Sequence, residues 1–294
     1  MKNSIPTAIA LGTFDGLHRG HQAVLTAAAA CARADALCPT VLLFDRHPKQ
    51  ILCNAAPPLL LTDDEKHRLL TAQGFSIRTV PFLSLKDLSP QDFVRFLKTE
   101  LHAGAVCCGK NYHFGKNAEG TAALLQTLGA DAGIRVQIAP DVLFDGAPVS
   151  ATRIRTAIEC GDMPAANAML GRTFSYALPV VSGDKRGRLL GFPTLNQFFP
   201  DGLVRPRAGV YAAKVCLKQT WYAAVTNIGV RPTIGTDSFR SETCILDFSG
   251  DLYGQTIEVH LLEFLRDEQK FGSLDQLKAA MQKDAAAAKK VNAR

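Results

Sequence analysis

The chain has 294 residues, 47% hydrophobic and 20% charged; this excludes a disordered or fibrous chain and leaves room for about two domains, each burying its own core. Its net charge of +6 is a mild bias suited to anionic small ligands. No basic strand rich in base-stacking aromatics accompanies it, so no nucleic-acid partner is expected. Eight cysteines without a C-x-x-C pair exclude the common zinc spacings and a disulfide scaffold. The start lacks an apolar signal core, and the uncharged run Gln50–Thr62 carries two prolines and is too short for a bilayer, so the expectation is a reduced, cytoplasmic protein with no membrane partner.

In chain order, the apolar run Ala8–Leu11 reads as a strand, and an alanine-rich helical pattern opens at Gln22. Between them lies Gly12-Thr13-Phe14-Asp15-Gly16-Leu17-His18-Arg19-Gly20-His21. A strand feeding a glycine-rich turn and a helix N-terminus is a phosphate-binding geometry, and His18 and His21 both have reach to a phosphate there. The spacing is neither a P-loop nor G-x-G-x-x-G. Thr40–Phe44 reads as a buried strand, Thr62-Asp63-Asp64-Glu65 as a capping box opening a helix to about Gln73, and Ser89-Pro90-Gln91-Asp92 as the start of a helix through Leu101. Ala105–Cys108 and Arg135–Ile138 are further strands. Strands and helices taking turns predict a doubly wound parallel sheet, with ligands beyond the carboxyl ends of its strands. Ser150-Ala151-Thr152-Arg153-Ile154-Arg155 begins another helix, where hydroxyls and a guanidinium suit phosphate oxygens; a Ser or Thr there is more often only a cap.

From about Gly171 short alternating runs replace the helical ones, and a domain join is placed there. Gly209–Leu217, Trp221–Ile228 and the cleanly alternating Thr256–Leu261 are strands, and Ser273-Leu274-Asp275-Gln276 is a capping box for a final helix through about Lys290. Several short strands and one terminal helix predict a small antiparallel barrel. Within it, Gly183 to Gly191 combine glycines with Lys185, Arg186 and Arg188, followed by Pro193-Thr194-Leu195-Asn196, whose hydroxyl and amide oxygen suit magnesium shared with nucleotide phosphates. Glu242 is placed mid-strand, a position usually on the surface but able to serve as a general base beside a substrate hydroxyl.

The H-x-G-H of His18 to His21 resembles the signature of the nucleotidylyltransferase superfamily. Together with L-T-D-D-E-K, G-K-N-Y-H-F-G, S-A-T-R-I-R, G-D-K-R-G-R-L-L-G-F-P-T-L-N, N-I-G-V-R-P-T, D-L-Y-G and L-R-D-E-Q-K-F, in that order, the chain resembles the bacterial bifunctional riboflavin kinase/FAD synthetase family over nearly its whole length. The resemblance implies a Rossmann-like α/β nucleotidylyltransferase domain over residues 1–170 and an antiparallel β-barrel kinase domain with a C-terminal helix over 171–294. It also implies two ATP-dependent reactions, riboflavin to FMN in the barrel and FMN to FAD in the sheet domain, with magnesium as cofactor, small-molecule partners only, and a monomer or weak homo-oligomer. By the same resemblance Glu242, His18 and His21 are catalytic. Gly12, Phe14, Asn111, Ser150, Thr152, Arg155, Asp162, Gly183, Lys185, Arg186, Gly187, Arg188 and Gly191 contact nucleotide or phosphate; Phe44, His47, Pro48, Asn227 and Arg266 contact flavin; Thr194 and Asn196 serve the metal. Three departures stand out: Ala151 replaces the second serine of the S-S-T-x-x-R pattern, Arg46 precedes His47-Pro48 where many members have proline, and Thr173–Leu178 lacks the usual glycine before the Val180–Val181 strand, which reads as loop variation.

Overall fold

A computed structural model describes residues 5–53, 55–181, 193–233 and 236–294, leaving aside the side chains of 231–237. Its contacts divide the chain into Met1–Ala151 and Thr152–Arg294. The first unit is a five-stranded parallel sheet of β1 (Thr7–Leu11), β2 (Cys38–Phe44), β3 (Ser76–Val80), β4 (Ala103–Gly109) and β7 (Arg135–Ala139), in the order β3-β2-β1-β4-β7. Two two-residue hairpins, β5/β6 (His113–Phe114, Gly120–Thr121) and β8/β9 (Leu143–Phe144, Ala147–Pro148), lie outside it.

The central strand is buried along its whole length because helices cover both faces. Ala8 and Ala10 point into one core with Val24, Leu25 and Ala28 of α1 (Arg19–Ala34); Ile9 and Leu11 point into the other with Phe93 and Leu97 of α5 (Pro90–Thr99) and Leu125 of α6 (Ala122–Asp131). Burying an Ile or Leu side chain in this way contributes about 1.5–3 kcal/mol. The expected caps are present. Thr62 Oγ1 accepts from Glu65 N while Glu65 Oε2 accepts from Thr62 N, opening α3 (Asp63–Ala72), and Ser89 Oγ accepts from Asp92 N to open α5. Helix α1 begins at Arg19 rather than Gln22, because His18 takes the N-cap position. The edge strand β3 carries no apolar alternation and was not expected from its sequence. Two short helices, α2 (Pro48–Cys53) and α4 (Phe82–Leu85), complete this unit.

The second unit opens with α7 (Ala151–Cys160) and α8 (Met163–Leu170). A six-stranded antiparallel sheet follows, made of β10 (Phe174–Pro179), β11 (Thr194–Phe198), β12 (Gly209–Leu217), β13 (Thr220–Thr233), β14 (Thr236–Ile245) and β15 (Thr256–Arg266), in the order β10-β15-β12-β13-β14-β11. It curls until its edges meet: Val181 N donates to Asn196 O at 2.9 Å, and the buried Gln197 side chain donates across the seam to Leu178 O and Ile257 O at 2.7 and 2.8 Å. Thr173–Leu178, expected as loop, is mostly strand β10; Phe174, Tyr176 and Leu178 alternate into the interior, a period-2 burial pattern that fixes it as an edge. The final helix α9 (Leu274–Asn292) lays Ala285, Ala288 and Val291 on Ala212, Val225 and Leu262 of the sheet's outer face. Its capping box is half formed: Ser273 Oγ accepts from Gln276 N, but the Gln276 side chain reaches Gly272 N instead of Ser273 N. Helices α7 and α8 belong with this sheet, since Asn167 donates to Leu261 O and Arg207 N donates to Ile158 O.

Candidate active sites

In the first unit the strand order reverses between β1, whose next strands run toward β3, and β4, whose neighbour is β7. A crevice opens at the carboxyl ends of the strands at such a switch point, and Gly12–His21 follows β1 directly. The turn is tight. Phe14 (φ 50°), Gly16 (φ 78°) and Leu17 (φ 44°) are left-handed, and a Cβ on Gly16 would stand 2.6 Å from Leu60 Cδ1. Asp15 is buried and accepts from Leu60 N at 2.8 Å, tying the turn to the segment before α3.

That scaffold presents two imidazoles as a pair. The His18 and His21 rings stack at 3.7 Å with 15° between their planes, and the Phe14 ring stands 5.2 Å from His21. His18 Nδ1 accepts from His21 N at 3.2 Å, which fixes the tautomer of His18 and leaves its Nε2 as the N–H position. Burial first, then the neighbouring His18 ring and the cation of Lys66, hold the His21 imidazole well below the ordinary histidine range. His21 Nδ1 is buried and has no hydrogen-bond partner. His21 is therefore neutral at pH 7. Lys66, carried in the L-T-D-D-E-K run and paired with Asp63 at 2.9 Å, adds a cation near this site that no local sequence signal marks.

Asn111 lies just past the end of β4, exposed, with its Oδ1 3.3 Å from where a Cβ on Gly109 would stand. Phe44 ends β2 and meets Phe82 edge-on at 5.2 Å; His47 Nδ1 accepts from Lys49 N and Pro48 opens α2. The expected flavin residues therefore follow the strand next to β1, at the same carboxyl edge. Ser150 lies one residue before the end of the first unit, and the preceding carbonyl, Val149 O, comes within 3.6 Å of a Cβ built on Gly20. Thr152, Arg155 and Asp162 lie on α7 and at the N-cap of α8 in the second unit; Thr152 is exposed, Arg155 is buried, and Asp162 Oδ1 caps α8 by accepting from Ala165 N.

In the second unit, long-range strand register collects residues that are far apart in sequence. Asn196 of β11 stands opposite Glu242 of β14, Glu242 opposite Asn227 of β13, Asn227 opposite Val210 of β12, and Val210 opposite Arg266 of β15. Directly paired residues share a face, so Asn196, Glu242, Asn227 and Arg266 form one row on the outer face. The interior face carries Gln197, Ser241, Thr226 and Tyr211, all fully buried.

Along the row, Asn196 is buried, and Asn227 Nδ2 donates to Glu268 Oε1 at 2.8 Å. A Cβ on Gly229 would lie 2.8 Å from that carboxylate, so only glycine lets Glu268 come down on the sheet here. Glu242 pairs with Arg240, Nη2 to Oε1 at 3.1 Å. Arg266 grips Asp284 of α9 with two parallel bonds, Nε to Oδ1 at 3.0 Å and Nη2 to Oδ2 at 2.7 Å. Thr194, two residues before Asn196, lines a shallow groove, open to solvent, with Val180, Pro193, Phe248, Asp251 and Tyr253. Asp251, Leu252 and Tyr253 of the groove belong to the D-L-Y-G run. Gly183, Lys185, Arg186, Gly187, Arg188 and Gly191 lie outside the described residues. Among the described residues no three His, Cys, Asp or Glu side chains converge as a metal cage, and no helix is long and apolar enough to cross a membrane.

Comparisons with known proteins match two families in successive parts of the chain. A family model described as FAD synthetase matches residues 1–153, and one described as riboflavin kinase matches residues 170–292. A bifunctional riboflavin kinase/FMN adenylyltransferase of Pseudomonas fluorescens is 36% identical, over 95% of this chain and 91% of that protein. Relatives of the same description from Listeria monocytogenes and Escherichia coli K12 are 35% and 34% identical, over 95% and 94% of this chain and 90% of each relative. A solved structure titled as a macrolide-efflux protein from Streptococcus pneumoniae superposes with a TM-score of 0.89 at 32% identity, over 98% of this chain and 95% of that one. The chain belongs to the bifunctional riboflavin kinase/FMN adenylyltransferase family, with the FAD synthetase half at its N-terminus and the riboflavin kinase half at its C-terminus.

Proposed function

We propose that the outer row of the barrel performs the kinase reaction and the turn after β1 the adenylyl transfer. In the barrel, the riboflavin 5′-hydroxyl attacks the γ-phosphate of ATP, and Glu242 accepts the hydroxyl proton, giving FMN and ADP. The observation that carries this assignment is the register that sets Glu242 between the amides of Asn196 and Asn227, beside the groove holding Thr194. The Thr194 hydroxyl and Asn196 amide oxygen are neutral oxygen donors, a set that fits Mg²⁺ arriving on nucleotide phosphates, since that ion keeps few protein ligands. When bound, Mg²⁺ neutralises charge on the phosphates. Lys185, Arg186 and Arg188 are assigned to the same phosphates by motif, and Asn227 and Arg266 to the flavin side.

At the β1 turn, an FMN phosphate oxygen attacks the α-phosphate of a second ATP, and pyrophosphate leaves. His18 and His21 stabilise charge developing on the phosphates. A neutral His21 suits this role: it binds the anion as a hydrogen-bond partner, and the anion in turn raises its proton affinity. Gly12, Phe14 and Asn111 line the nucleotide side; Phe44, His47 and Pro48 line the flavin side. Ser150, Thr152, Arg155 and Asp162 are assigned to adenylyl transfer as well, so the functional boundary is kept near Gly171. The contact division falls earlier, at Ala151/Thr152, and neither family match includes residues 154–169. Eight free thiols favour a reducing, cytoplasmic setting. We assign no membrane or nucleic-acid partner and take the protein as a monomer or weak homo-oligomer.

The test is domain-selective loss. Glu242→Ala stops riboflavin phosphorylation and leaves FMN adenylylation intact. Normal kinase turnover in that variant removes Glu242 as the base.

A further inference from the structure

Arg240 stands out on the barrel's outer face as a residue that no motif marks. It lies two positions before Glu242 on β14, hence on the same face, and its Nη2 stands 3.1 Å from Glu242 Oε1. Both side chains are largely withdrawn from water, 12% and 18% exposed, so each charge depends on its partner far more than a surface pair would. The strand partners of Arg240 give its guanidinium a defined seat. On β11 the partner is Phe198, whose ring centre lies 5.9 Å from the guanidinium carbon; on β13 it is Gly229, over which the Glu268 carboxylate lies.

The Nε of Arg240 is buried and has no hydrogen-bond partner. Here the guanidinium is aimed at one carboxylate, and that carboxylate is the one between Asn196 and Asn227. A glutamate has three side-chain torsions to settle, and a planar cation fixes them better than an amide does.

We propose that Arg240 is the positioning residue for Glu242 in riboflavin phosphorylation, holding the carboxylate in one orientation between the two amides; this rests on Glu242 being the base. The contact that defines Arg240 is with Glu242, so its contribution runs through that carboxylate and belongs to turnover more than to nucleotide affinity. It lies on the opposite side of Glu242 from the Thr194 position, where the nucleotide is assigned.

The experiment uses the full chain with Arg240→Gln, Arg240→Lys, Glu242→Gln and the double variant Arg240→Gln/Glu242→Gln, reading kcat and KM for both reactions. Arg240→Gln is expected to lower kinase kcat about tenfold or more, with KM for ATP within about twofold and FMN adenylylation unchanged. Arg240→Lys recovers part of the loss. The double variant is no slower than Glu242→Gln alone, because residues that act as a unit are not additive. The proposal is overturned by a kinase kcat within about twofold of the parent in Arg240→Gln, or by losses that multiply in the double variant. Should Arg240→Gln fail to fold, Arg240→Lys decides: a lowered kcat at unchanged KM supports the positioning role, and parental kcat overturns it. Undiminished turnover by Glu242→Gln removes the base assignment itself and this proposal with it, an outcome distinct from failure of Arg240 alone.

Discussion

The histidine pair is where single residues say most about chemistry. His21 is held neutral by burial and by two neighbours, His18 and Lys66, that oppose a second positive charge. Its folded value lies below the unfolded value of about 6.5, so in the window between them the unfolded chain binds the extra proton. Stability from this site is complete above about pH 6.5 and falls as pH drops through that window. Urea unfolding at pH 7.5 and pH 5.5 should show a smaller acid loss in His21→Gln than in the parent; an equal loss in both would mean that His21 titrates normally. His21→Ala is expected to abolish FAD formation from FMN while riboflavin phosphorylation persists, read by separate assays of the two steps. Equal loss of both would break the assignment of the turn to adenylyl transfer. Gly16 supports this geometry from beneath. With φ 78° and Leu60 Cδ1 2.6 Å from an added Cβ, Gly16→Ala should cost about 1–3 kcal/mol in denaturant unfolding, and an unchanged midpoint would show that the turn relaxes freely.

At the scale of elements, the two halves were unequally legible in the sequence. The capping boxes and buried apolar runs of the first unit are local signals, and β1, β2, β4, α3 and α5 form where those signals sit. β3 escaped because an exposed edge strand needs no apolar alternation, and β10 escaped because its three inward residues, Phe174, Tyr176 and Leu178, are separated by residues with no strong strand preference. The turn after β1 could be read as a phosphate site because all its parts are contiguous. The row assigned to the kinase reaction is not legible in that way: Asn196, Asn227, Glu242 and Arg266 come into line only through the register of five strands, and only the family resemblance groups them in the sequence. Arg240 had no signal at all, since its meaning lies in a same-face neighbour and two cross-strand partners.

One element-level contact carries a stability consequence. Arg266 and Asp284 join β15 to α9 through two charge-assisted hydrogen bonds, with the aspartate side chain only 10% exposed. Asp284→Asn keeps the shape and removes the charge, leaving Arg266 poorly compensated. The expected loss is about 2 kcal/mol in urea unfolding; a change near zero would mean that the helix is held by Ala285, Ala288 and Val291 alone.

At the scale of the whole molecule, a parallel sheet and a curled antiparallel sheet each carry their own phosphate chemistry. The two reactions share a substrate, ATP, and the product of one, FMN, is the acceptor of the other. The basic balance of +6 suits a protein whose every ligand carries or receives phosphate. Ala151, in place of a second serine, sits at the junction between the two contact units, at the first position of α7. Restoring the hydroxyl with Ala151→Ser should leave FMN formation untouched, and any effect should appear in FAD formation; a change confined to the kinase step would contradict that placement. The central claim is tested most directly by giving the purified full chain riboflavin, ATP and magnesium and following products by liquid chromatography. The account predicts FMN first and FAD after it, from one polypeptide. Folded protein that forms neither product would contradict it outright, and FMN without FAD would contradict the assignment of a working adenylyl site to the His18–His21 turn.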